Sequence, residues 1–188
     1  MNSSPIQYRR LGIEDIKPDM LEHFDRRQIV TKSWRGRGEG YALEDTPRTD
    51  DWSVEDKRRI AREYFPRAIG SGGCVFGAFD EGRMIGFATV LGEPIGSEKQ
   101  YLLLDLMHIS RPYRGKGIGR KLFSLCAEAA RGAGPPKLYI SAHSAQESVA
   151  FYRAMGCVHA EEVIPALLEA EPADVHMEFV FSREARKS

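Results

Sequence analysis

With 188 residues, 42% of them hydrophobic and 29% charged, the chain has the size and mixture of one globular domain that buries its core without disulfide or metal staples. Its 27 basic and 27 acidic side chains cancel. That excludes a general attraction to nucleic acid or anionic membrane and leaves any polyanion to a local cluster. Cys74, Cys126 and Cys157 form neither a CxxC pair nor a zinc spacing, so no metal is expected and the thiols read as buried small hydrophobes of a reducing compartment. Residues 1–7 lack a secretory pattern, and nothing reaches the roughly 18 consecutive apolar residues of a membrane span. A cytoplasmic protein is expected.

Along the chain, residues 6–11 read as an opening strand and residues 19–30 as a helix. Residues 33–51, which include Trp34-Arg35-Gly36-Arg37-Gly38-Glu39-Gly40, read as a long loop. Its short Arg-Gly alternation admits RNA contact, against the plainer reading of a flexible turn. Ser53 with Asp56 three residues on is a capping signal, and Ile60, Ala61, Tyr64, Phe65 and Ala68 recur at helical spacing until Gly70-Ser71-Gly72-Gly73 ends the helix. Residues 74–79 and 84–91 flank Glu81-Gly82 as a hairpin. Residues 101–109 are almost continuously apolar, as in a central strand covered on both faces. A helix over 117–131 carries Ile118, Leu122, Leu125, Cys126 and Ala129 on one face and stops at Gly132-Ala133-Gly134-Pro135-Pro136. Then follow a strand at 137–142, a helix opened by a Ser144/Glu147 capping box and closed by Gly156, and closing strands at 157–164 and 175–181. The order implies a mixed sheet with helices on its faces.

The chemistry concentrates where the apolar strand meets the amphipathic helix, at Ser110-Arg111-Pro112-Tyr113-Arg114-Gly115-Lys116-Gly117-Ile118-Gly119-Arg120. Glycines let a ligand approach the backbone, and the first amides of a helix have no internal partner. With the helix dipole and the cations Arg114, Lys116, Arg120 and Lys121, they make a pyrophosphate site. Spacing rejects both GxxxxGK[ST] and GxGxxG and leaves Arg-Gly-x-Gly-x-Gly. A basic first turn opposes the dipole by a few tenths of a kcal/mol per charge, roughly, unless an anion sits there.

Arg114-Gly115-Lys116-Gly117-Ile118-Gly119 resembles the pyrophosphate-binding turn of the GNAT superfamily of N-acetyltransferases. Phe151-Tyr152-Arg153-Ala154-Met155-Gly156-Cys157 resembles the same family's later helix-to-strand segment. The resemblance implies an α/β (α+β) fold, with a mixed, mostly antiparallel central sheet flanked by helices and splayed between its fourth and fifth strands. It implies one N-acetyltransferase domain over 1–188: acceptor-side helices and loop at about 12–70, an acetyl-CoA-binding core at about 74–164, and a C-terminal strand at about 175–181. Acetyl-CoA is the implied co-substrate. Met107, His108 and Ile109 would lie along its pantetheine arm, with the backbone of Met107 and Ile109 in contact and His108 facing the other way. The amides of Arg114, Gly115, Lys116, Gly117, Ile118, Gly119 and Arg120 would hold its diphosphate. Ser148 would touch the arm, whereas Ala145 stands where many members have asparagine.

By the same resemblance the reaction is direct acetyl transfer to a primary amine, with Tyr152 as general acid. Its alternative is an ordinary core aromatic. Asp105, the lone acid of Leu102-Leu103-Leu104-Asp105-Leu106-Met107, is the most unusual of three candidates for removing the amine proton, His108 and Glu147 being the others, and a water relay is the alternative to all three. Its alternative is a structural partner for a neighbouring cation or hydroxyl. Asp50, Asp51, Glu55 and Asp56 either line a pocket for a cation or solvate a helix start, and the acidic run 169–174 either draws an amine or is a solvated loop. The expected acceptor is a small molecule; neither membrane nor nucleic acid is an expected partner, and homodimer pairing stays open. A CoA-binding sensor without turnover is the rival from another class.

Overall fold

The computed structural model describes residues 5–37 and 40–181. After β1 (Gln7–Arg10) the chain does not form the helix expected at 19–30. It makes single turns, closed by bonds such as Glu22 N–H to Asp19 C=O at 2.8 Å, and then runs extended. The cause is tertiary. Asp25 N–H donates to Ser110 Oγ at 3.0 Å, its carbonyl accepts from Arg111 N–H at 2.8 Å, and the carbonyls of Arg26 and Arg27 accept from the Arg114 guanidinium. Peptide groups engaged this way are lost to a helical ladder.

The loop expected over 33–51 is instead an antiparallel hairpin of β2 (Gln28–Arg37) and β3 (Gly40–Asp50), a two-stranded sheet of its own. Gly38 and Glu39 lie outside the described residues. β-branched Ile29, Val30, Thr31, Thr46 and Thr49 favour the strands, and Pro47 falls where the register shifts between Val30 and Lys32, so its missing N–H removes no ladder bond.

Ser53 and Asp56 form the expected capping box at α1 (Val54–Arg59). Here Asp56 is a cap, not a pocket wall. A π-helical turn, Ile60–Tyr64, links α1 to α2 (Phe65–Gly70), with Phe65 N–H reaching Ile60 C=O just ahead of Pro66. A wide turn there makes room for the proline ring against the preceding turn. β4 (Cys74–Asp80) and β5 (Arg83–Val90) meet at Glu81-Gly82, whose positive φ values of 48° and 78° make a type I′ turn.

β6 (Tyr101–Ile109), α3 (Ile118–Arg131), β7 (Lys137–Ala142), α4 (Gln146–Ala154), β8 (Val158–His159), α5 (Pro165–Ala170) and β9 (Val175–Val180) complete the fold. The closing strand expected at 157–164 is only the two residues of β8. Beyond it Glu161 and Glu162 turn to Lys137 and to Ser97 and Gln100, and Pro165 opens α5. The main sheet runs β1-β4-β5-β6-β7-β9-β8, and every neighbouring pair is antiparallel except β6 with β7. One core lies under α3 and α4, around Leu104, Leu122, Phe123, Leu138 and Val149; the other lies under α2 and the N-terminal turns, around Phe24, Phe65, Phe87, Leu103 and Tyr139. All three cysteines are buried free thiols. Among the described residues no helix is long and apolar enough to cross a membrane.

Candidate active site

The fourth and fifth strands of the sheet, β6 and β7, pair only through Tyr101↔Lys137, Leu102↔Leu138 and Leu103↔Tyr139 and then separate into a wedge. Just beyond that point Val90 faces Leu104 while Thr89 faces Leu106, so Asp105 is the extra residue of a bulge. Leu106 N–H donates to Thr89 Oγ1 at 3.1 Å. Past the bulge, the Ser110 N–H to Ile85 C=O bond fixes the alternation of the β5–β6 ladder. The pairs Ala88↔Met107 and Gly86↔Ile109 are therefore the non-hydrogen-bonded ones, and the peptide groups of Met107 and Ile109 face the wedge. Met107 and Ile109 side chains pack under α3. The His108 ring lies on the other face, edge-on to Trp52 at 4.6 Å and near Phe87 at 5.7 Å. Burial, followed by the nearby Arg26 cation, pushes the His108 pKa well below its ordinary value, so the ring is neutral at pH 7.

At the start of α3, Gly115 and Gly117 take φ of +75° and +79°, and a Cβ on either would meet nothing within 4 Å. The outer side of this turn is open. The first helical bond is Lys121 N–H to Gly117 C=O at 3.1 Å, and the amides of residues 115–120 have no acceptor among the described residues. Gly119 differs from the other two. A Cβ there would stand 3.3 Å from the Phe151 ring, so this glycine serves close helix packing.

Arg114 also departs from expectation, because its charge is committed away from the turn. Its guanidinium donates to the carbonyls of Ile109 at 2.9 Å, Arg27 at 2.9 Å and Arg26 at 2.8 Å. Lys116, Arg120 and Lys121 remain exposed, with Lys116 Nζ 5.0 Å from the Tyr113 ring centroid. Arg114→Ala should destabilise the fold by roughly 2–4 kcal/mol, the scale of several partly exposed charge-assisted bonds. Arg114→Lys, which cannot fork, should restore less than half of that loss; urea unfolding midpoints give both values.

α4 begins at Ala145 with no side-chain cap. Ser144, the expected cap, is buried and offers its carbonyl to Trp34 N–H at 2.8 Å. Ser148 is partly buried one turn before Tyr152. Tyr152 is 9% exposed and packs against Phe151 and Phe123 at 5.3 and 6.3 Å. Its hydroxyl has no hydrogen-bond partner among the described residues, yet it is absent from the polar atoms sealed away without one. The oxygen therefore touches accessible space. Burial raises the phenol pKa well above its ordinary value, so it stays protonated across the physiological range.

The sealed, unpartnered side-chain atoms among the described residues are Arg26 Nε, Asp105 Oδ2 and His176 Nε2. Asp105 thus has no structural partner of the kind its lone position in the strand allowed for. Burial raises its pKa, opposed only by the charge of Arg67. Asp174, from the acidic run, turns inward to accept from Ser141 Oγ at 3.0 Å and is pushed up to about 6, mainly by burial. Glu169 and Glu171 are exposed.

The β2–β3 hairpin is anchored on both sides of the wedge. Its entry is tied to the end of β6 through Ser110, Arg111 and Arg114, and its middle to the β7–α4 turn through Trp34 and a Ser33↔Ala145 bridge. At its end Asp50 pairs with Arg48 at 3.2 Å and with His143 Nε2 at 3.1 Å. Asp51 accepts from Trp52 N–H, and Glu55 is exposed. Arg26, Trp52, His143 and His176 have no motif around them, so nothing in their spacing marks them beforehand.

Residues 38–157 match the family model described as Acetyltransferase (GNAT) family. No curated protein matches the chain. Among solved structures it is similar to nourseothricin acetyltransferase, with 21% identity, 94% of this chain and 99% of that one covered, and a TM-score of 0.66. PaiA N-acetyltransferase from Thermoplasma acidophilum, in complex with coenzyme A, is 17% identical over 95% of this chain and 100% of that one, TM-score 0.59. The ribosomal-protein-S18-alanine N-acetyltransferase from Escherichia coli is 14% identical over 98% and 99%, TM-score 0.56. At such identities these structures speak for the fold, while the family model spans most of the chain. A sheet that opens between β6 and β7, an unpartnered amide turn beside the opening, and that match lead to one statement: the chain belongs to the acetyltransferase (GNAT) family.

Proposed function

We propose that the chain moves an acetyl group from acetyl-coenzyme A to a primary amine by direct transfer, with Tyr152 as general acid and Asp105 as general base. The observation that carries this reading is the row of unpartnered amides at residues 115–120, set beside a strand whose Met107 and Ile109 peptide groups face an open wedge. Anions seek such amides, and an extended pantetheine arm can pair with such a strand edge. The exposed Lys116, Arg120 and Lys121 add charge to that end, and Ser148 adds a hydroxyl near the arm.

The co-substrate supplies an acetyl thioester. Asp105, ionised, takes a proton from the acceptor ammonium, so that the neutral amine attacks the acetyl carbon as the N–C bond forms. The peptide N–H groups of the wedge edge favour the oxyanion. The attacking nitrogen, cationic once the N–C bond has formed, releases its second proton to solvent; Tyr152 donates its phenolic proton to the departing sulfur as the C–S bond breaks, and solvent then reprotonates the phenolate and takes the proton from Asp105. Protonation states suit these roles, since Tyr152 is held neutral while Asp105 titrates above the ordinary carboxylate range. The acceptor is read as a small amine, because the β2–β3 hairpin is tied both to the end of β6 and to the β7–α4 turn and so limits access between them.

The reading is tested by thiol release from acetyl-coenzyme A across classes of amines. Turnover with at least one amine is expected; coenzyme binding without turnover on any of them makes the chain a sensor instead. Because Asp105 must lose its proton to act, kcat/KM should rise with pH through its raised pKa. Asp105→Asn should remove that acidic limb and lower kcat about 100-fold, within the usual range for a positioned general base. An unchanged limb in a folded Asp105→Asn variant would assign the base to another group, Asp174 first.

A further inference from the structure

We propose that Arg26 binds an anionic group of the acceptor, so that the amines acetylated by this chain carry a carboxylate; this rests on the acetyl-transfer reading above. Arg26 is only 7% exposed. Its Nη1 donates to Gln28 Oε1 at 3.0 Å, its Nε is sealed without any partner, and among the described residues it makes no ion pair. Of the nearby carboxylates, Asp25 pairs with Arg111 at 2.9 Å and Asp50 with Arg48 and His143, while Asp50 and Asp51 act on Arg26 through their charge without touching it. Arginine cannot shed its proton to escape burial, so a nearly buried guanidinium with no contacting anion is unfavourable unless a ligand meets it, and Nη2, neither bonded among the described residues nor sealed, is the donor left to do so.

Its placement names the ligand. The guanidinium lies 5.4 Å from the Trp52 ring centroid, and Trp52 is edge-on to His108 of β6 at 4.6 Å, which sets the cation on the face of β6 opposite the Met107 and Ile109 side chains. The backbone beneath it is rigidly held, with the Arg26 carbonyl gripped by Arg114 and the preceding Asp25 by Ser110 and Arg111. β6 also supplies Asp105, whose Oδ2 is sealed but whose Oδ1 has neither a partner among the described residues nor a seal. A fixed cation and a spare carboxyl at one wedge match a zwitterion, its amine toward Asp105 and its carboxylate toward Arg26. A planar guanidinium takes a carboxylate through two parallel bonds, which a point charge cannot do.

The experiment compares the proteinogenic amino acids with their carboxamides as acceptors in the thiol-release assay. Wild-type protein should prefer the acid by at least about tenfold in kcat/KM for every accepted side chain. Arg26→Gln should bring the ratio to within about threefold, through KM, with unchanged coenzyme A affinity in calorimetry. Arg26→Lys, which keeps the charge but not the fork, should retain part of the preference; a merely structural arginine would leave the ratio unmoved in both variants. A wild-type ratio of one or below overturns the proposal whether or not the variants fold. If no amine releases thiol, acetyl transfer itself fails, and calorimetry with coenzyme A present then compares N-acetyl amino acids with their amides. Tighter binding of the acids upholds the Arg26 site, and equal binding overturns it.

Discussion

Gly117→Glu is expected to raise the dissociation constant for coenzyme A by at least about 100-fold, the scale of two to three kcal/mol of lost charge-assisted binding. The substitution sets a carboxylate among the amides of residues 115–120, where the diphosphate would compete for the same donors. Two effects need separating, because Gly117 has φ +79° and a side chain there is strained by about 1–2 kcal/mol even though the space around it is open. Gly117→Asn supplies the control, since asparagine tolerates the left-handed region and carries no charge. It should weaken binding by less than about tenfold. A carboxylate at the helix start suits the dipole, so the glutamate variant should stay folded. Calorimetry checks both, and a glutamate variant within threefold of wild type moves the pyrophosphate site elsewhere.

Tyr152→Phe is expected to lower kcat by about 100- to 1000-fold while leaving coenzyme A affinity and thermal stability unchanged. Phenylalanine keeps the packing against Phe123 and Phe151, and the lost hydroxyl has no partner among the described residues to strand. Stability therefore reports on the fold and kcat on the proton. A loss below threefold would make Tyr152 the ordinary core aromatic that its burial also permits.

What could be read in advance depended on neighbours close along the chain. The Glu81-Gly82 turn, the Ser53/Asp56 box, the left-handed Gly156 and the apolar run of β6 each depend on a few consecutive residues, and each appears where expected. Asp105 stood out because an acid in such a run is costly, although the bulge that displaces it belongs to the pairing with β5. Ser144 failed as a cap for a related reason, since its carbonyl and position serve a contact with Trp34 far away in the chain.

The segment ahead of the β2–β3 hairpin shows the limit. Residues 25–27 have helix-compatible side chains, yet their peptide groups bind Ser110, Arg111 and Arg114, and one arginine read as a phosphate ligand is spent there. Sequence alone determined the strand-to-helix turn, its donors and its family resemblance, because local geometry and a few glycines suffice to expose a row of amides. Tertiary structure decided how the β2–β3 hairpin is anchored and how Arg26 is buried, because burial and pairing across eighty residues or more are properties of the packed chain, not of any window along it.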